Sequence, residues 1–487
     1  MSQRQHGKHS KKTGAVKVAR YQQLAYETEK LIADGILRPG DRLPSVRQTC
    51  RTYAISPVTV TQAYYLLESR GLIEARPKSG YFVRPRLGQR LDEPQMSHPR
   101  SQSTALQVSD FIFQILNSVK DPAVVPLGSS FPSPFLFPLD KLGRFLGQSA
   151  RNSNPLSTVT DLPPGNSELR RQIALRYLAR GATVSTDEIV ITSGAMEGIN
   201  LCLQAVTQPG DLIAIESPTF YAGLQASERL GLKVIEIPSH PREGIDLQAL
   251  AAALQQHPIK ACLLMLNFGN PTGCLVSPER KRALIDLLAR HAVPLIEDDV
   301  YQELYFGTQP PLCSKSVTPA DHVMHIGSFS KCLAPGYRLG WVAAGRYAEK
   351  IIRLKLATSL ATTIPVQIAI AEYLKHGSYD LHLRRLRQQL MLQEARLIEE
   401  IERHFPATTR LARPAGGYFV WIELPQTVDA LTLQRQALEQ GISIAPGPIF
   451  SAKKEFRHCI RLNFGHPPDT HTQQAIATLG RIISSQM

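Results

Sequence analysis

The sequence predicts an α/β protein in two parts: a small head of three helices followed by a β-ribbon, and a large body built on a mostly parallel sheet, with a smaller lobe at its end. Three observations predict this. The first fifth of the chain holds short helical segments broken by proline and glycine, then two brief extended runs. From about residue 109 onward, continuous apolar runs alternate with helical stretches, which is the pattern of strands buried on both faces. The charge is also lopsided. Residues 1–90 hold 17 Lys and Arg against 6 Asp and Glu, whereas residues 91–487 hold 38 against 35.

The head begins with RYQQLAYETEKLIADGI (20–36), where Leu24, Leu31 and Ile32 fall at helical spacing. Pro39-Gly40 breaks the pattern. A second short helix is expected from about Ser45 to Tyr53. A third starts at Ser56-Pro57, an N-cap followed by proline at the first helical position, and stops at Gly71. LIEAR and YFVRP flank the turn Pro77-Lys78-Ser79-Gly80. Three helices and a ribbon, in this order, are the plan of a winged helix-turn-helix. The basic excess of the same region suggests an anionic partner, of which nucleic acid is the commonest. Residues 85–108 are rich in Pro, Arg, Gln and Ser and are expected to be a flexible linker between a head at 18–84 and a body at 109–487.

In the body, five apolar runs each end in polar or small residues: EIVIT before SGAME, DLIAIE before SPTFY, ACLLML before NFGNPTG, VPLIE before DDVY, and HVMHIG before SFSK. Helices are expected between them, for example at 197–206 and 278–291. Ligands of such sheets bind beyond the carboxyl ends of the strands, and the polar residues sit there. From about 365 the chain reads as long helices with the short strands GYFVWIELP and CIRLNF, a separate smaller lobe. No apolar run approaches the ~20 residues of a membrane span, so no membrane partner is expected. The basic start MSQRQHGKHSKK lacks an apolar stretch, so a cytoplasmic protein without a signal peptide is expected. The seven cysteines are scattered, with no C-x-x-C pair. Reduced thiols and no metal site are expected.

Six residues form the main chemical constellation: Asn270, Asp298, Tyr301, Ser328, Lys331 and Arg338. A lysine amine able to condense with an aldehyde, a carboxylate for a pyridine nitrogen, donors for a ring oxygen, and cations, hydroxyls and a helix N-terminus for a phosphate are what pyridoxal phosphate (PLP) needs. GNPTG, EDDVY, SFSK with PGYRLGW, and IRLNF, in that order, resemble the motifs of fold-type I aminotransferases from about Leu127 to the C-terminus. PAGGYFVWIELP and APGPIF resemble that family's C-terminal lobe. The resemblance implies that Lys331 carries the cofactor and is the catalytic residue. It implies that Asp298 faces the pyridine nitrogen, and that Tyr301 and Asn270 bond the ring O3′. Ser328, Arg338 and the N–H groups of Ala195 and Met196 would hold the phosphate. Phe220, or Tyr221 beside it, would stack on the ring, and Arg461 would bind a substrate α-carboxylate. One of the Asp298–Asp299 pair is also a candidate helix cap.

The head resembles the GntR family over about 65 residues, through PGDRLPSVRQ and SPVTVTQAYYLLESRGLIEARPKSGYFV. The two parts together are similar to the MocR subfamily, in which a GntR-type head is linked to an aminotransferase-like body. The positions matching the family's DNA contacts are Arg47, Ser56, Pro57, Thr59, Thr61, Lys78, Ser79 and Gly80. Gln62 is added for its possible bond to adenine. Pro57 and Thr61 stand where the family often has arginine, which weakens the case for guanine readout; Thr59 and Thr61 can meet thymine methyls or phosphates. Tyr64, Leu66 and Leu67 read as core, and Arg76 and Lys78 reach either phosphate or solvent.

Two departures bear on catalysis. Thr160, five residues before Gly165, stands where many of these aminotransferases carry a tyrosine that reaches the neighbouring subunit's cofactor. Met196 stands where a glutamine is common. The resemblance thus implies a homodimeric, PLP-binding regulator of double-stranded DNA, responsive to PLP or to its adduct with a small amine or amino acid, with slow transamination. The competing readings are a working aminotransferase with an appended DNA-binding head, and a DNA-binding protein with a vestigial body.

Overall fold

The computed structural model describes residues 19–34, 36–38, 40–69, 72–76, 79–83, 91–99, 101–117, 123–152, 154–307 and 309–487. Pro39, Gly71, Pro77, Lys78, the side chain of Arg76, the basic residues 1–18, and residues 84–90 and Arg100 of the expected linker lie outside the described residues. The chain divides into two compact units, Met1–Leu87 and Gly88–Met487.

The first unit has helices α1 (Arg20–Ala33), α2 (Val46–Tyr53) and α3 (Pro57–Ser69), and a two-stranded antiparallel ribbon, β1 (Ile73–Arg76) and β2 (Gly80–Val83). Side chains cap the helices as the sequence requires: Ser45 Oγ accepts from Gln48 N at 3.2 Å, and Ser56 Oγ from Thr59 N at 3.2 Å. Leu24, Ala25, Leu43, Val60, Ala63, Tyr64, Leu67, Ile73 and Val83 form the core. Tyr64 is buried without an orphaned hydroxyl, since it donates to Pro44 O at 2.8 Å and shares a bond of the same length with Thr49 Oγ1. Leu66 is half-buried. The turn after α1 joins the ribbon: Leu43 N donates to Tyr81 O, and Val83 N to Asp41 O, both at 2.8 Å.

The second unit is built on a nine-stranded sheet. Its strands are β3 (Thr104–Ala105), β4 (Ile189–Thr192), β5 (Leu212–Ser217), β6 (Lys233–His240), β7 (Gly244–Ile245), β8 (Ile259–Leu264), β9 (Leu295–Asp298), β10 (Val323–Ser328) and β11 (Gly340–Ala343). The order is β3-β6-β5-β8-β9-β10-β11-β4, with β7 beside β6. The run β6-β5-β8-β9-β10 is parallel, so the carboxyl ends of these strands share one edge. β11 runs antiparallel to both neighbours. Every residue of β5 and β10 is buried, as expected of strands covered on both faces, including the polar Glu216 and Ser217 of β5 and His325 and Ser328 of β10. A second sheet, β12 (Arg410–Leu411), β13 (Phe419–Glu423), β14 (Ala445–Pro446) and β15 (Cys459–Asn463), is antiparallel in the order β12-β13-β15-β14 and forms the smaller lobe.

The segment expected as a linker differs from the expectation. From Leu91 onward it is fastened to the body. Leu411 N donates to Asp92 O at 2.8 Å, and Gln95 N to Glu423 Oε2 at 2.9 Å, both on the small sheet. Ser97 Oγ donates to Ser217 O and accepts from Ser239 N. Thr104–Ala105 then pairs with β6 as the outermost strand of that order, and Leu106 and Val108 are buried. The fastening is made by polar groups that show no periodicity, so composition alone reads as linker.

Replacing Ser97, which is buried, with alanine leaves the Ser217 carbonyl and the Ser239 N–H short of a partner, at a cost of about 1–3 kcal/mol. Ser97→Ala should lower the melting temperature of the body in differential scanning calorimetry. Glu93→Ala, which removes only the exposed pair with Arg242, should leave it unchanged within error.

Candidate functional site

One end of the site is built where β4 gives way to a helix. Thr192 ends the strand, Ser193-Gly194 turns, and the helix Ala195–Val206 begins. Ala195 and Met196 are its first two residues, whose N–H groups have no intrahelical acceptor. Gly194 has φ +89°, and a Cβ there would lie 2.6 Å from Arg338 Nη2, so only glycine lets the arginine approach. Arg338 donates to Ser330 Oγ at 3.2 Å and to Ser193 O at 3.4 Å. It is itself held at φ +48°, a conformation that a non-glycine residue adopts only where its surroundings enforce it. Ser328 is buried, and its Oγ donates to Leu339 O at 3.1 Å and accepts from Ser330 N. Ser193 and Ser330 add hydroxyls that the sequence reading missed, although both lie inside the motifs it quoted. Behind the turn, Glu197 accepts from Ser193 N at 2.6 Å and from the buried Lys355 Nζ at 2.8 Å.

Lys331 follows β10 by three residues. Its Nζ donates to Ser130 O at 2.9 Å and lies 3.8 Å from the centre of the Phe131 ring. Burial, then Arg461, push its amine down to about 7; Asp298 opposes this and Arg338 adds to it. Asp298 ends β9. Burial and then Asp299 push its carboxyl up to about 7, against the pull of Lys331. Asp298 Oδ1 is buried without a hydrogen-bond partner.

Asp299 has a different place, and it caps no helix. It accepts from Asn267 Nδ2 and pairs with His325 Nε2, both at 3.0 Å. His325 Nδ1 meets Tyr177 OH at 2.5 Å, and Trp341 Nε1 donates to that hydroxyl. Lys281 Nζ, also buried, donates to Asn267 Oδ1. Burial pushes His325 down to about 4 and keeps it neutral. Glu297, Asp299 and His325 bring ligand-type atoms within 4.8 Å of one another. Neighbouring polar groups occupy part of that set, Ser314 N donating to Glu297 at 2.9 Å. This network was not read from the sequence.

On the third wall, Asn270 Nδ2 donates to Tyr301 OH at 3.4 Å, and both residues are buried. Arg461, on β15, has no exposed surface. It donates to Asn270 Oδ1 at 3.0 Å, Gly128 O at 2.6 Å and Ser129 O at 3.2 Å. Phe220 is half-buried, with its ring centre 4.6 Å from that of Tyr221. Tyr221 OH bonds Ser130 Oγ at 2.6 Å, which turns it toward the Ser129–Phe131 segment. Thr160 is exposed. Contacts or charge coupling therefore join Asn270, Asp298, Tyr301, Lys331, Arg338 and Arg461. Ala195, Met196 and Ser328 adjoin them through the helix start and the Ser328–Lys331 turn.

On the head, Arg47, Ser56, Pro57, Ser79 and Gly80 are exposed, while Thr59, Thr61 and Gln62 are half-buried. Two exposed residues were missed. Val58 is 66% exposed at the start of α3, and Arg42 lies so close to Gly80 that a Cβ there would sit 3.4 Å from its Nε.

The family described as aminotransferase class I and II matches residues 149–479, and the bacterial regulatory proteins of the gntR family match residues 20–83. The uncharacterized HTH-type transcriptional regulator YdcR of Escherichia coli is 47% identical over 96% of this chain and 100% of its own length. A second, YjiR, is 38% identical over the same shares. The chain belongs to the MocR-type regulators. In these regulators a GntR-type DNA-binding domain and an aminotransferase-like domain share one polypeptide. The alpha-aminoadipate aminotransferase LysN of Thermus thermophilus, solved with N-(5'-phosphopyridoxyl)-L-leucine, is 26% identical and superposes with a TM-score of 0.70 over 78% of this chain and 99% of its own. Among the described residues, no helix of this MocR-type chain is long and apolar enough to cross a membrane.

The lowered Lys331 amine is directly measurable. In ligand-free protein, acylation of Lys331 followed by peptide mapping should be half-maximal near pH 7 and level above it, because the neutral amine is the nucleophile. An ordinary lysine keeps gaining reactivity up to ~10.4.

Proposed function

We propose that this chain is a PLP-binding, DNA-binding transcription regulator whose body responds to PLP or to a PLP–amine adduct. The observation that carries the cofactor half is the meeting, in one buried site, of a lysine driven toward its neutral form and a carboxylate oxygen that lacks a donor. A protonated ring nitrogen supplies the donor that Asp298 Oδ1 wants, so the residues fit the group. When bound, PLP supplies an aldehyde for an amine and a ring that accepts electrons. Lys331 presents the amine. Asp298 holds the ring proton, and Asn270 and Tyr301 donate to O3′. Ser328, Ser330, Arg338 and the N–H groups of Ala195 and Met196 take the phosphate. Phe220, with Tyr221 as the alternative, covers the ring, and Arg461 orients a carboxylate.

The head, about residues 18–84, would bind double-stranded promoter DNA through α3 and the ribbon, and the protein would work in the cytoplasm. A homodimer is part of the proposal. Phe135 is 92% exposed, and Leu156 and Val159 are 66% exposed, apolar side chains that a second copy would cover. Light scattering at micromolar concentration should give twice the chain mass.

Borohydride reduction should fix PLP on the peptide containing Lys331, and Lys331→Ala should abolish the yellow absorbance. Asp298→Ala should weaken PLP and shift its spectrum. The intact Lys331 and Arg461 favour a second reading, an active aminotransferase. Thr160 and Met196 oppose it by withholding two polar cofactor contacts. Mixed with a panel of amino acids in a stopped-flow spectrometer, the protein should change spectrum quickly yet turn over far more slowly than on the order of 10 per second. Sustained turnover at that rate would replace the regulator reading with the enzyme.

A further inference from the structure

The outward face of α3 carries no charge. Val60, Ala63, Tyr64 and Leu67 are buried at the spacing of one helical stripe. Val58, Thr61, Gln62 and Tyr65 repeat that spacing on another face, with Val58 66% and Tyr65 37% exposed. The helix, PVTVTQAYYLLES, contains neither lysine nor arginine.

The hydroxyls at its start are already engaged. Ser56 Oγ accepts from Thr59 N at 3.2 Å and bonds Thr59 Oγ1 at 2.8 Å. Thr61 Oγ1 donates back to Pro57 O at 2.8 Å. Beyond one spare hydroxyl hydrogen of the Ser56–Thr59 pair, what α3 has left to offer at its start is apolar, the Val58 side chain and the Thr61 methyl, together with the Gln62 amide. The charges stand beside the helix instead: Arg47 and Arg51 on one face of α2, both exposed, and Arg42 against the ribbon.

In the major groove the thymine methyl is the apolar group that a base edge presents, and adenine N6 and N7 match an amide. The N-terminal residues of a recognition helix are the ones that meet base edges. We propose that α3 reads T·A pairs, with thymine methyls against Val58 and Thr61 and adenine against Gln62, while Arg42, Arg47 and Arg51 hold phosphates. The operator half-site is therefore centred on T·A pairs. Arginine–guanine readout has no part at this helix. The inference rests on the DNA-binding reading and adds the chemistry of the site that is read.

The test uses the full chain and duplexes it selects from a randomised pool. Each thymine of the selected half-site is replaced in turn by deoxyuridine, which keeps the pairing and removes the methyl. At the contacted positions affinity should fall roughly fourfold, the worth of burying one methyl group. Val58→Ala, an exposed substitution that leaves the head's core intact, should weaken binding similarly and erase the deoxyuridine effect at one position. It should leave the salt dependence unchanged. Arg47→Ala should reduce the salt slope by about 0.9 and weaken all sequences alike. If duplexes are selected but deoxyuridine costs nothing, or the half-sites are centred on G·C pairs, this inference falls and the DNA-binding reading stands. If no duplex is selected and the α3 face captures only protein, both fall.

Discussion

A guanidinium with no exposed surface decides how the body is put together. Taking Arg461 out of water costs several kcal/mol unless acceptors surround it. Those acceptors come from far apart in the chain: Asn270 after β8, and the carbonyls of Gly128 and Ser129. Phe419 lies 4.1 Å beneath it and Phe450 5.3 Å away. One charge on the small sheet thus draws in the carboxyl edge of the large sheet and the segment after Leu127. Once that segment is fixed, Ser130 O is in place to accept from Lys331 Nζ and from Tyr418 OH. The site is assembled around the demand of a buried cation.

The same constraint explains the electrostatics. Burial, with Arg461 and Arg338 adding to it, pushes the Lys331 amine toward neutrality, and burial with Asp299 does the same to the Asp298 carboxyl, each against the opposing pull of the other. Asp299 is kept in place by groups that do not enter the site: Asn267, His325 and, beyond them, Lys281 and Tyr177. Two adjacent aspartates therefore play separate parts. Asp299 spends its Oδ2 on a buried network, and Asp298 ends a strand beside Lys331; each keeps an Oδ1 without a hydrogen-bond partner, and only that of Asp298 belongs to the residue coupled to the lysine. A partner bearing a proton is what that oxygen lacks.

Much of this was legible in the sequence, for identifiable reasons. An apolar run that stops at a polar residue marks both a strand and the edge where ligands lie, so β4, β5, β8, β9 and β10 and the residues after them were read together. The helix expected at 278–291 spans Pro278–Arg290, and that expected at 197–206 begins two residues earlier, at Ala195. β6 was missed because proline and polar residues interrupt it, and β11 because its four residues sit inside a motif. Ser97 and Ser239 are 142 residues apart, and Gln95 and Glu423 are 328 apart. Such bonds leave no period to detect, so the fastened stretch from Leu91 looked like a linker. Val58 escaped because valine at a helix start reads as core, and its exposure becomes visible only once Val60 and Ala63 are seen to face inward.

The fastening of residues 91–108 also limits how the body can change shape. Asp92 and Gln95 bond to the small sheet, whereas Ser97 bonds to the last residue of β5, three residues before Phe220. The two lobes and the turn that leads to the aromatic residue are therefore joined by a stretch of five or so residues, too short to absorb a large displacement, since a fully extended chain spans at most about 3.6 Å per residue. A shift of the small sheet against the large one must either carry this stretch along or break the hydrogen bonds of Gln95 or Ser97. Of these, the Ser97 bonds are buried and the more costly to lose. A ligand that held the lobes differently in its presence and absence would act first on the Gln95 bond to Glu423, which is exposed.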